Sequence, residues 1–398
     1  MAGKVTAWWN PLRCAGTALP VPLLLMAKII ALALLVTGHV RLMPDPFLPF
    51  LPFLDSVPGD IFRMALQVLL VGSAIALLFN YHPRLRALML GLTILLAVVS
   101  SKAYYGNNKT MCAALLLLAG LYHPRTGAWL LRAQVALAYF GAGLNKLIDA
   151  DWQSGVFFHH WAGTRLGQPL YLWGASLLPP LVAAKAICWA TIVTELGLAA
   201  ALLLRRAWPW AIWVSLLFHA ALLEFTGTTF TMFFYAMEAA MFAFVEWPRE
   251  MVVIFDGECG ICRRIRGWMD RVDFDGAFRW QPLQSGVGDR WALSRETLEQ
   301  RLHLITDGRI TSGFEACKRI PLYNPAFYLA VTLAIAAAPG GPVGVWWRRV
   351  VVAALLGFFF PLFNPVGEAV YGWVARNRRR FSNEGSCAVE PVIQRDRA

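Results

Sequence analysis

Long apolar runs separated by short polar connections fill the first 246 residues of the chain. A helix crosses a bilayer with about 20 apolar residues, and eight runs approach this length. The runs are 22–38, 62–79, 86–104, 110–122, 127–147, 181–204, 208–225 and 229–246. The fourth run is short, and 148–180 is the one long connection. This pattern predicts a polytopic α-helical membrane domain of about eight helices.

Composition supports lipid as the solvent for much of the chain. Hydrophobic residues make up 58% of the sequence and charged residues only 15%, whereas soluble globular proteins carry about 25% charged residues. The net charge of +12 would suit nucleic acid in a soluble protein. Here the basic residues occupy short loops between apolar runs, where they orient the protein and face anionic lipid. We therefore expect membrane lipid as a partner and no nucleic acid.

The distribution of loop charges predicts the orientation of the helices. If the helices alternate in direction, one side receives mainly cations: Lys4, Arg13, Arg84, Arg86, Arg125, Arg205 and Arg206. The other side receives mainly acids: Asp45, Asp55, Asp60, Asp149 and Asp151. Cytoplasmic loops carry the excess of Lys and Arg. We therefore expect a multi-pass protein of the cell (inner) membrane with a cytosolic N-terminus and, after eight spans, a cytosolic C-terminal domain.

The hydrophobic pattern changes after Trp247. Residues 251–255, 278–283 and 302–306 are short runs typical of strands. Asp307-Gly308 is a tight-turn signal that joins the third of these to a fourth strand at 309–311. Helices are predicted to start at Cys259, Ser294 and Gly313. This alternation predicts a small α/β domain.

Two further apolar stretches follow, at 324–338 and 349–363. Each has about 15 residues, which is short for a span, and prolines interrupt the region at Pro321, Pro339, Pro361 and Pro365. We expect these stretches to cap the small domain or to lie on the membrane surface. The alternative is a ninth and a tenth span.

The small domain begins with a Cys-x-x-Cys motif, Cys259 and Cys262, directly after its first predicted strand. A helix that begins at the first cysteine directs unpaired N–H groups at its sulfur, which lowers the thiol pKa. Cys259 would then attack a disulfide, and Cys262 would resolve the mixed disulfide. Asp256, three residues before Cys259, is either a proton relay for Cys262 or a helix cap.

Half of a zinc site is the alternative interpretation of this cysteine pair. Cys317, His303 or Cys387 would have to complete it, and no second Cys-x-x-Cys or His pair has zinc-finger spacing. The sequence therefore favours a redox dithiol that needs neither a metal nor another cofactor.

The motif Asp256-x-x-Cys259-x-x-Cys262 resembles the DCC family of thiol-disulfide oxidoreductases. Two later blocks resemble that family as well: Asp307-Gly308 with Gly313 and Ala316, and Tyr371 with 374–378. The resemblance covers about 250–385. It implies a thioredoxin-like fold and a protein thiol or disulfide as substrate. One departure is that no proline precedes the strand at 302–306, where thioredoxins place a cis-proline beside the active site.

Polar residues within the apolar runs are expensive to bury in lipid and point to function. Tyr139, Gly143 and Lys146 share one helix face. Lys146 is either a buried amine or a lysine that snorkels to the interface. The segments 143–147, 149–152, 107–109 and 218–219 resemble the membrane domain of vitamin K-dependent γ-carboxylase, a member of the HTTM family. The resemblance spans 15–246.

That resemblance implies that the lysine at the position of Lys146 acts near a reduced quinone. Lys109 stands where the family has a histidine, and Leu222 stands where it has an asparagine, so glutamate carboxylation is not expected intact. We expect a pocket for a quinone or lipid that faces away from the cytoplasm. Its predicted lining is Asn108, Lys109, Lys146 and His219, with Glu195 and Glu238 as partners for the charges. The alternative is a structural polar network between helices.

Three functions follow from these observations. The first is a membrane-bound thiol-disulfide oxidoreductase with a quinone- or lipid-binding membrane half. The second is a carboxylase-like or peptide/toxin-maturation enzyme with its chemistry around Lys146. The third is a non-enzymatic scaffold or transporter. The predicted orientation separates the dithiol from Lys146 by about 30 Å of hydrocarbon, so no direct electron transfer between them is expected.

Overall fold

The computed structural model describes residues 10–43, 56–101, 104–226 and 231–377. Lys4, Asp45, Asp55, Cys387 and the end of the basic segment 376–380 lie outside these ranges. Residue contacts divide the chain into two units. The first is drawn from Met1–Glu246 and Leu329–Val352, and the second from Trp247–Tyr328 and Ala353–Ala398. The ranges 15–246 and 250–385 stay predictions for the domain boundaries.

All eight predicted helices are present in the first unit. They are α1 Val21–Val36, α2 Gly59–Leu78, α3 Pro83–Ser100, α4 Asn107–Gly120, α5 Trp129–Ile148, α6 Val182–Leu203, α7 Trp208–Thr226 and α8 Thr231–Ala240. A 3₁₀ turn, Met241–Phe244, extends α8. In the described part of the chain five helices are long and apolar enough to cross a membrane, and four of these belong to this set. The chain is thus a membrane protein, as its composition predicts.

Close helix packing in this unit depends on small residues. At Gly120 of α4, a Cβ atom would lie 2.5 Å from the Leu88 side chain and 2.8 Å from the Arg84 carbonyl oxygen of α3. Small residues let helix backbones approach closely, which is a common basis of association in lipid. Gly120 therefore sets the contact between α3 and α4.

The long connection 148–180 is itself folded. It contains the short helices Ala150–Ser154 and Val156–Phe158, the π-helix His159–Arg165 and the helix Pro169–Ser176. Phe158 and Tyr171 are buried against Ala184 and Cys188 of α6. The connection therefore packs back onto the helices that it joins.

A four-stranded sheet forms the centre of the second unit. Its strands are β1 Met251–Phe255, β2 Phe278–Pro282, β3 His303–Thr306 and β4 Arg309–Ser312, in the order β2-β1-β3-β4. β1 pairs with β2 in parallel and with β3 antiparallel, and β3 pairs with β4 antiparallel. The predicted turn at Asp307-Gly308 is present, with φ of 45° and 82°. The strand predictions are confirmed to within one residue at each end.

Three helices complete this thioredoxin-like arrangement: α9 Gly260–Val272, α10 Arg295–Gln300 and α11 Gly313–Leu322. All five residues of β1 are buried. Val253 faces Met269 of α9 in one apolar cluster, and Val252 faces Leu298 of α10 in another. A strand that is covered on both faces reads as a continuous apolar run, which is why β1 is recognisable in the sequence.

The last three helices are α12 Pro325–Ala336, α13 Gly341–Phe359 and α14 Asn364–Asn377. The predicted start of the second apolar stretch, at 349, is wrong: α13 begins at Gly341 and has 19 residues. A proline in the first helical turn, here Pro342, costs no hydrogen bond, so the helix extends further towards the N-terminus. The apolar stretch at 349–363 is short for a bilayer span. The helix that contains most of it, α13, is long and apolar enough to span a membrane.

Candidate functional site

The turn after β1 places the first cysteine of the motif at a helix start. β1 ends at Phe255, and Cys259 is the N-cap residue of α9, with φ −81° and ψ 116°. The Cys259 amide donates to the Asp256 carbonyl at 3.3 Å, and the Cys259 carbonyl accepts from the Arg263 amide at 3.0 Å. The Cys259 sulfur therefore lies at the N-terminus of α9, as the sequence predicts.

This position stabilises the thiolate of Cys259. The Cys262 thiol donates a hydrogen bond to the Cys259 sulfur, and the nearby backbone N–H groups of Cys262 and Ile261 also stabilise its negative charge. Together they lower the pKa of Cys259 to about 6, against the opposing effects of burial and of the Asp256 charge. The thiolate is the nucleophilic form of cysteine. Cys259 is therefore mostly reactive thiolate at neutral pH.

Asp256 organises the turn before the helix. Its carboxylate accepts hydrogen bonds from the Glu258 amide at 3.0 Å and from the Gln284 side chain at 2.9 Å. The side-chain oxygen of Gln284 (Oε1) in turn accepts from the Gly257 amide at 3.0 Å. Asp256 thus caps the turn that precedes α9. The N-cap residue of the helix itself is Cys259. A proton relay from Asp256 to Cys262 stays a prediction.

Tyr371 of α14 is a further residue beside the dithiol. Ile254 pairs with His303, so the chain just before β3 lies next to the end of β1, from which the dithiol turn begins. There the Leu302 amide donates to the Tyr371 hydroxyl at 2.8 Å. Burial, with smaller contributions from the nearby Cys317 and Cys262, raises the pKa of Tyr371 to about 12 against the lowering effect of the Leu302 hydrogen bond. The sequence placed Tyr371 in a conserved-looking block but gave no sign that it lies at the site.

α14 is fixed over this edge by ionic contacts. Glu368 accepts from the Phe314 amide at 3.1 Å and pairs with Arg301 at 3.2 Å. Arg301 precedes Leu302 in the chain where thioredoxins have a proline, and the described residues contain no cis peptide bond. At this point of the chain the Leu302 amide is bound by the Tyr371 hydroxyl of α14.

The residues proposed to complete a zinc site have other partners. The His303 ring nitrogens contact the Thr297 carbonyl oxygen at 3.2 Å and the Ser312 hydroxyl at 2.8 Å. Burial raises the pKa of Cys317 to about 11, which keeps this thiol protonated. Within the described ranges no group of three His, Cys, Asp or Glu side chains is placed to hold a metal ion.

A second polar site lies among the helices of the first unit. Lys146 of α5 pairs with Glu195 of α6, with the Lys146 nitrogen 2.9 and 2.8 Å from the two carboxylate oxygens. The Lys146 side chain is 20% exposed and that of Glu195 is 9% exposed. Gly143 makes the pair possible, because a Cβ atom there would lie 2.8 Å from the Leu196 side chain. The predicted partnership of Glu195 with an intramembrane charge is confirmed.

The other predicted partner, Glu238 of α8, binds His219 of α7 at 2.6 Å. Glu238 also accepts from the Ser215 hydroxyl at 3.0 Å, and Ser215 lies 2.8 Å from the Tyr139 hydroxyl. The rings of Tyr139 and His219 are stacked, with centroids 6.0 Å apart. Tyr139 and Lys146, which share one face of α5, thus belong to two polar groups, one that joins α5 to α7 and α8 and one that joins α5 to α6.

Asn108 and Lys109 lie elsewhere. The Lys109 amine donates to the Tyr104 carbonyl at 2.5 Å and lies 3.6 Å from the centre of the Tyr104 ring. The Asn108 side chain accepts from the Lys109 amide at 2.9 Å. None of the hydrogen bonds and ion pairs in the described chain joins these two residues to Lys146 or His219. The four residues predicted to line one pocket thus fall into two groups.

Comparison with known proteins finds two families that match successive parts of the chain. The HTTM domain family matches residues 118–247, and the family of DCC1-like thiol-disulfide oxidoreductases matches residues 253–351. No protein of curated function and no solved structure matches the chain. Both family resemblances expected from the sequence are confirmed, in the expected order. The chain is therefore a membrane protein that joins an HTTM domain to a DCC1-like thiol-disulfide oxidoreductase domain.

Proposed function

We propose that the chain is a membrane-bound thiol-disulfide oxidoreductase that cycles Cys259 and Cys262 between dithiol and disulfide. The observation that carries this proposal is the Cys259 sulfur at the N-terminus of α9, with a pKa of about 6. The family match at 253–351 supports the same chemistry. A protein disulfide or thiol is the expected class of substrate, and the reaction needs no other cofactor.

The reaction transfers two electrons from the dithiol to a substrate disulfide. The Cys259 thiolate attacks one sulfur, the substrate S–S bond breaks, and the departing sulfur takes up a proton. Cys262 then loses its proton and attacks the Cys259 sulfur, which releases the second substrate thiol. The products are a reduced substrate and a Cys259–Cys262 disulfide. A second dithiol must reduce this disulfide to complete the cycle.

Replacement of single cysteines in the full-length protein tests this proposal. Cys259→Ser is expected to abolish disulfide reduction, and Cys262→Ser to trap a mixed disulfide that mass spectrometry detects. Cys317→Ser is the matched control, because burial keeps this neighbouring thiol protonated. The proposal fails if Cys259→Ser retains wild-type turnover.

The membrane half supports a second function, the binding of a quinone or lipid. The specific observation is the cluster of paired ionisable groups, Lys146 with Glu195 and His219 with Glu238, inside an apolar helix bundle. Such groups are rare in membrane helices and mark functional sites. A carboxylase-like or maturation enzyme would use the same cluster for its chemistry around Lys146, and a scaffold or transporter would use it structurally.

Paired variants separate these alternatives. If the dithiol carries the function, Cys259→Ser abolishes the activity of the protein in cells, and Lys146→Ala leaves that activity intact. The reverse outcome supports chemistry around Lys146, and two silent variants support a scaffold or transporter. Binding of a quinone analogue, followed by fluorescence quenching in wild type and in Lys146→Ala, tests the quinone directly. Equal binding by the two proteins would contradict a quinone site at Lys146.

A further inference from the structure

One face of α14 is held by other parts of the second unit. Glu368 accepts from the Phe314 amide at 3.1 Å and pairs with Arg301 at 3.2 Å. Three residues further on, the Tyr371 hydroxyl accepts from the Leu302 amide at 2.8 Å. Residues three or four positions apart lie on the same side of a helix. These contacts therefore fix which side of α14 faces outward.

The opposite face of α14 is apolar and exposed. Val366, Val370 and Trp373 follow one another at helical spacing and are 64%, 58% and 54% exposed. Leu362, in the turn just before the helix, is 74% exposed. Contiguous exposed apolar surface marks a site of interaction with another protein or with a membrane.

Basic residues follow this apolar face directly. Arg376 is exposed in the last turn of α14, and the sequence continues with Arg378, Arg379 and Arg380. The single acidic residue of α14 is Glu368, which lies on the inner face. Aliphatic residues and a tryptophan beside clustered arginines are typical of helices that lie in the interface of an anionic bilayer. The charge of the outer face thus favours anionic lipid as its partner.

The chain also brings α14 close to a membrane surface. α13 is long and apolar enough to span a membrane and ends at Phe359, five residues before Asn364. Five residues reach at most about 17 Å, and the 3₁₀ turn Pro361–Phe363 shortens this reach. Because a spanning helix ends at a membrane surface, we expect α14 to begin beside one.

We propose that the outer face of α14, formed by Val366, Val370 and Trp373 and followed by the arginines, binds the surface of an anionic lipid bilayer. The apolar side chains enter the boundary between headgroups and acyl chains, and the arginines contact the lipid phosphates. The inner face of the same helix attaches the second unit to that surface. The proposal does not rest on the dithiol chemistry, so Cys259→Ser should leave lipid binding intact.

A photo-cross-linker on the outer face tests this proposal. p-Benzoyl-L-phenylalanine replaces Val370 in the full-length protein, which is reconstituted in nanodiscs of phosphatidylcholine with or without phosphatidylglycerol. After irradiation, mass spectrometry measures the fraction of the protein that is bonded to lipid. Each arginine near an anionic surface favours the bound state about fivefold, so we expect at least about that increase in lipid adducts when phosphatidylglycerol is present.

The same cross-linker in place of Glu296 is the matched control. Glu296 is an exposed polar residue of α10 in the same unit, and we expect few lipid adducts there with either lipid. A second variant removes the charge that follows the apolar face. It combines Arg376→Gln, Arg378→Gln, Arg379→Gln and Arg380→Gln. This variant should lose the effect of phosphatidylglycerol at position 370, and replacement of the same four residues by lysine should keep it.

The proposal is overturned if position 370 gives no lipid adduct or gives equal yields in the two kinds of nanodisc. It is also overturned if the cross-links join position 370 to a second copy of the chain or to another part of the same chain. The outer face of α14 would then be a contact between protein surfaces.

Discussion

Cys259 is the residue whose chemistry depends most on its surroundings. Its pKa in the folded protein is about 6, below the ordinary 9.0, so the thiolate forms as the pH rises through about 6. We expect the rate of Cys259 alkylation by iodoacetamide to rise with pH and to reach half of its plateau near pH 6. Mass spectrometry of the alkylated peptide gives this rate. A midpoint near 9 would contradict the hydrogen bonds described for this sulfur.

The largest contribution to the low pKa of Cys259 is the hydrogen bond from the Cys262 thiol. Cys262→Ala should therefore move the midpoint of Cys259 alkylation upward, towards 9.0. Cys317→Ala is the control and should leave it in place, because Cys317 is not among the groups that shift the Cys259 pKa.

The ion pair between Lys146 and Glu195 tests how strongly two buried charges depend on each other. Removal of one partner from a buried pair leaves an uncompensated charge and costs about 3–5 kcal/mol, whereas removal of both costs far less. We expect Lys146→Met and Glu195→Gln each to lower the free energy of unfolding by about 3 kcal/mol, and the double variant to be more stable than either. Thermal unfolding in detergent measures these differences. Additive losses would show that the pair is not coupled.

At the scale of residues, the sequence predicted the features that depend on local backbone geometry or on the pairing of charges in lipid. The thiolate position follows from a strand, a turn and a helix start within a few residues. Glu195 and Glu238 were predictable as partners because a charge within an apolar run needs a neutraliser. The position of Tyr371 was not predictable, because it depends on where α14 packs in the folded domain. The local sequence around Tyr371 does not determine that packing.

The contact between α5 and α6 depends on a single glycine. A Cβ atom at Gly143 would lie 2.8 Å from the Leu196 Cγ and 3.2 Å from the Glu195 Cβ. Overpacking of this kind costs about 1–3 kcal/mol, so Gly143→Ala should unfold at a lower temperature and weaken the Lys146 pair. Gly141→Ala is the control on the same helix, because a Cβ atom there has no neighbour within 4 Å. Equal stability of the two variants would show that α5 and α6 can separate without cost.

The pair of helices α12 and α13 contacts the membrane helices through charge. Arg349 of α13 binds the two carboxylate oxygens of Glu224 through its Nε and Nη2 atoms. Arg348 donates to the carbonyl oxygens of Ile335 and Ala338 at 3.3 and 3.2 Å. Glu224 lies near the end of α7, which starts beside Arg205 and Arg206. The loop charges predict that those two arginines are cytosolic, and the other end of α7 is then expected at the outer face.

We therefore expect α12 and α13 to enter the membrane as a hairpin, with the turn near Gly340 at the outer face. Gly340→Cys, in a chain with its other cysteines replaced by serine, should react with an impermeant maleimide in intact cells. Thr126→Cys, in the connection predicted to be cytosolic, is the control and should react only after permeabilisation. Labelling of both positions only after permeabilisation would place the hairpin at the cytosolic surface.

At the scale of elements, predictions succeeded where burial has a simple pattern. β1 is covered on both faces and reads as a continuous apolar run, and the membrane helices are apolar all round. α13 was misplaced because Arg348 and Arg349 interrupt its apolar run. The contacts that neutralise them, Glu224 and two carbonyl oxygens, come from parts of the chain that the local sequence does not include.

For the whole molecule, the loop charges predict a cytosolic dithiol domain. The cytosol is reducing, so Cys259 and Cys262 should rest as a dithiol. We expect an impermeant maleimide to label Cys259 only after the cells are permeabilised. Labelling in intact cells would place the dithiol outside the cytosol and contradict this orientation.

The dithiol unit is built from two separate stretches, with Leu329–Val352 between them assigned to the first unit. When the ribosome has completed β4 and α11, the buried amine of Lys318 still lacks Asn364, and Leu302 still lacks Tyr371. Both arrive only after α12 and α13 have been synthesised. The nascent domain therefore lacks both contacts until α14 is synthesised, and a chain shortened after Phe359 would keep the dithiol but lose the helix that binds the Leu302 amide.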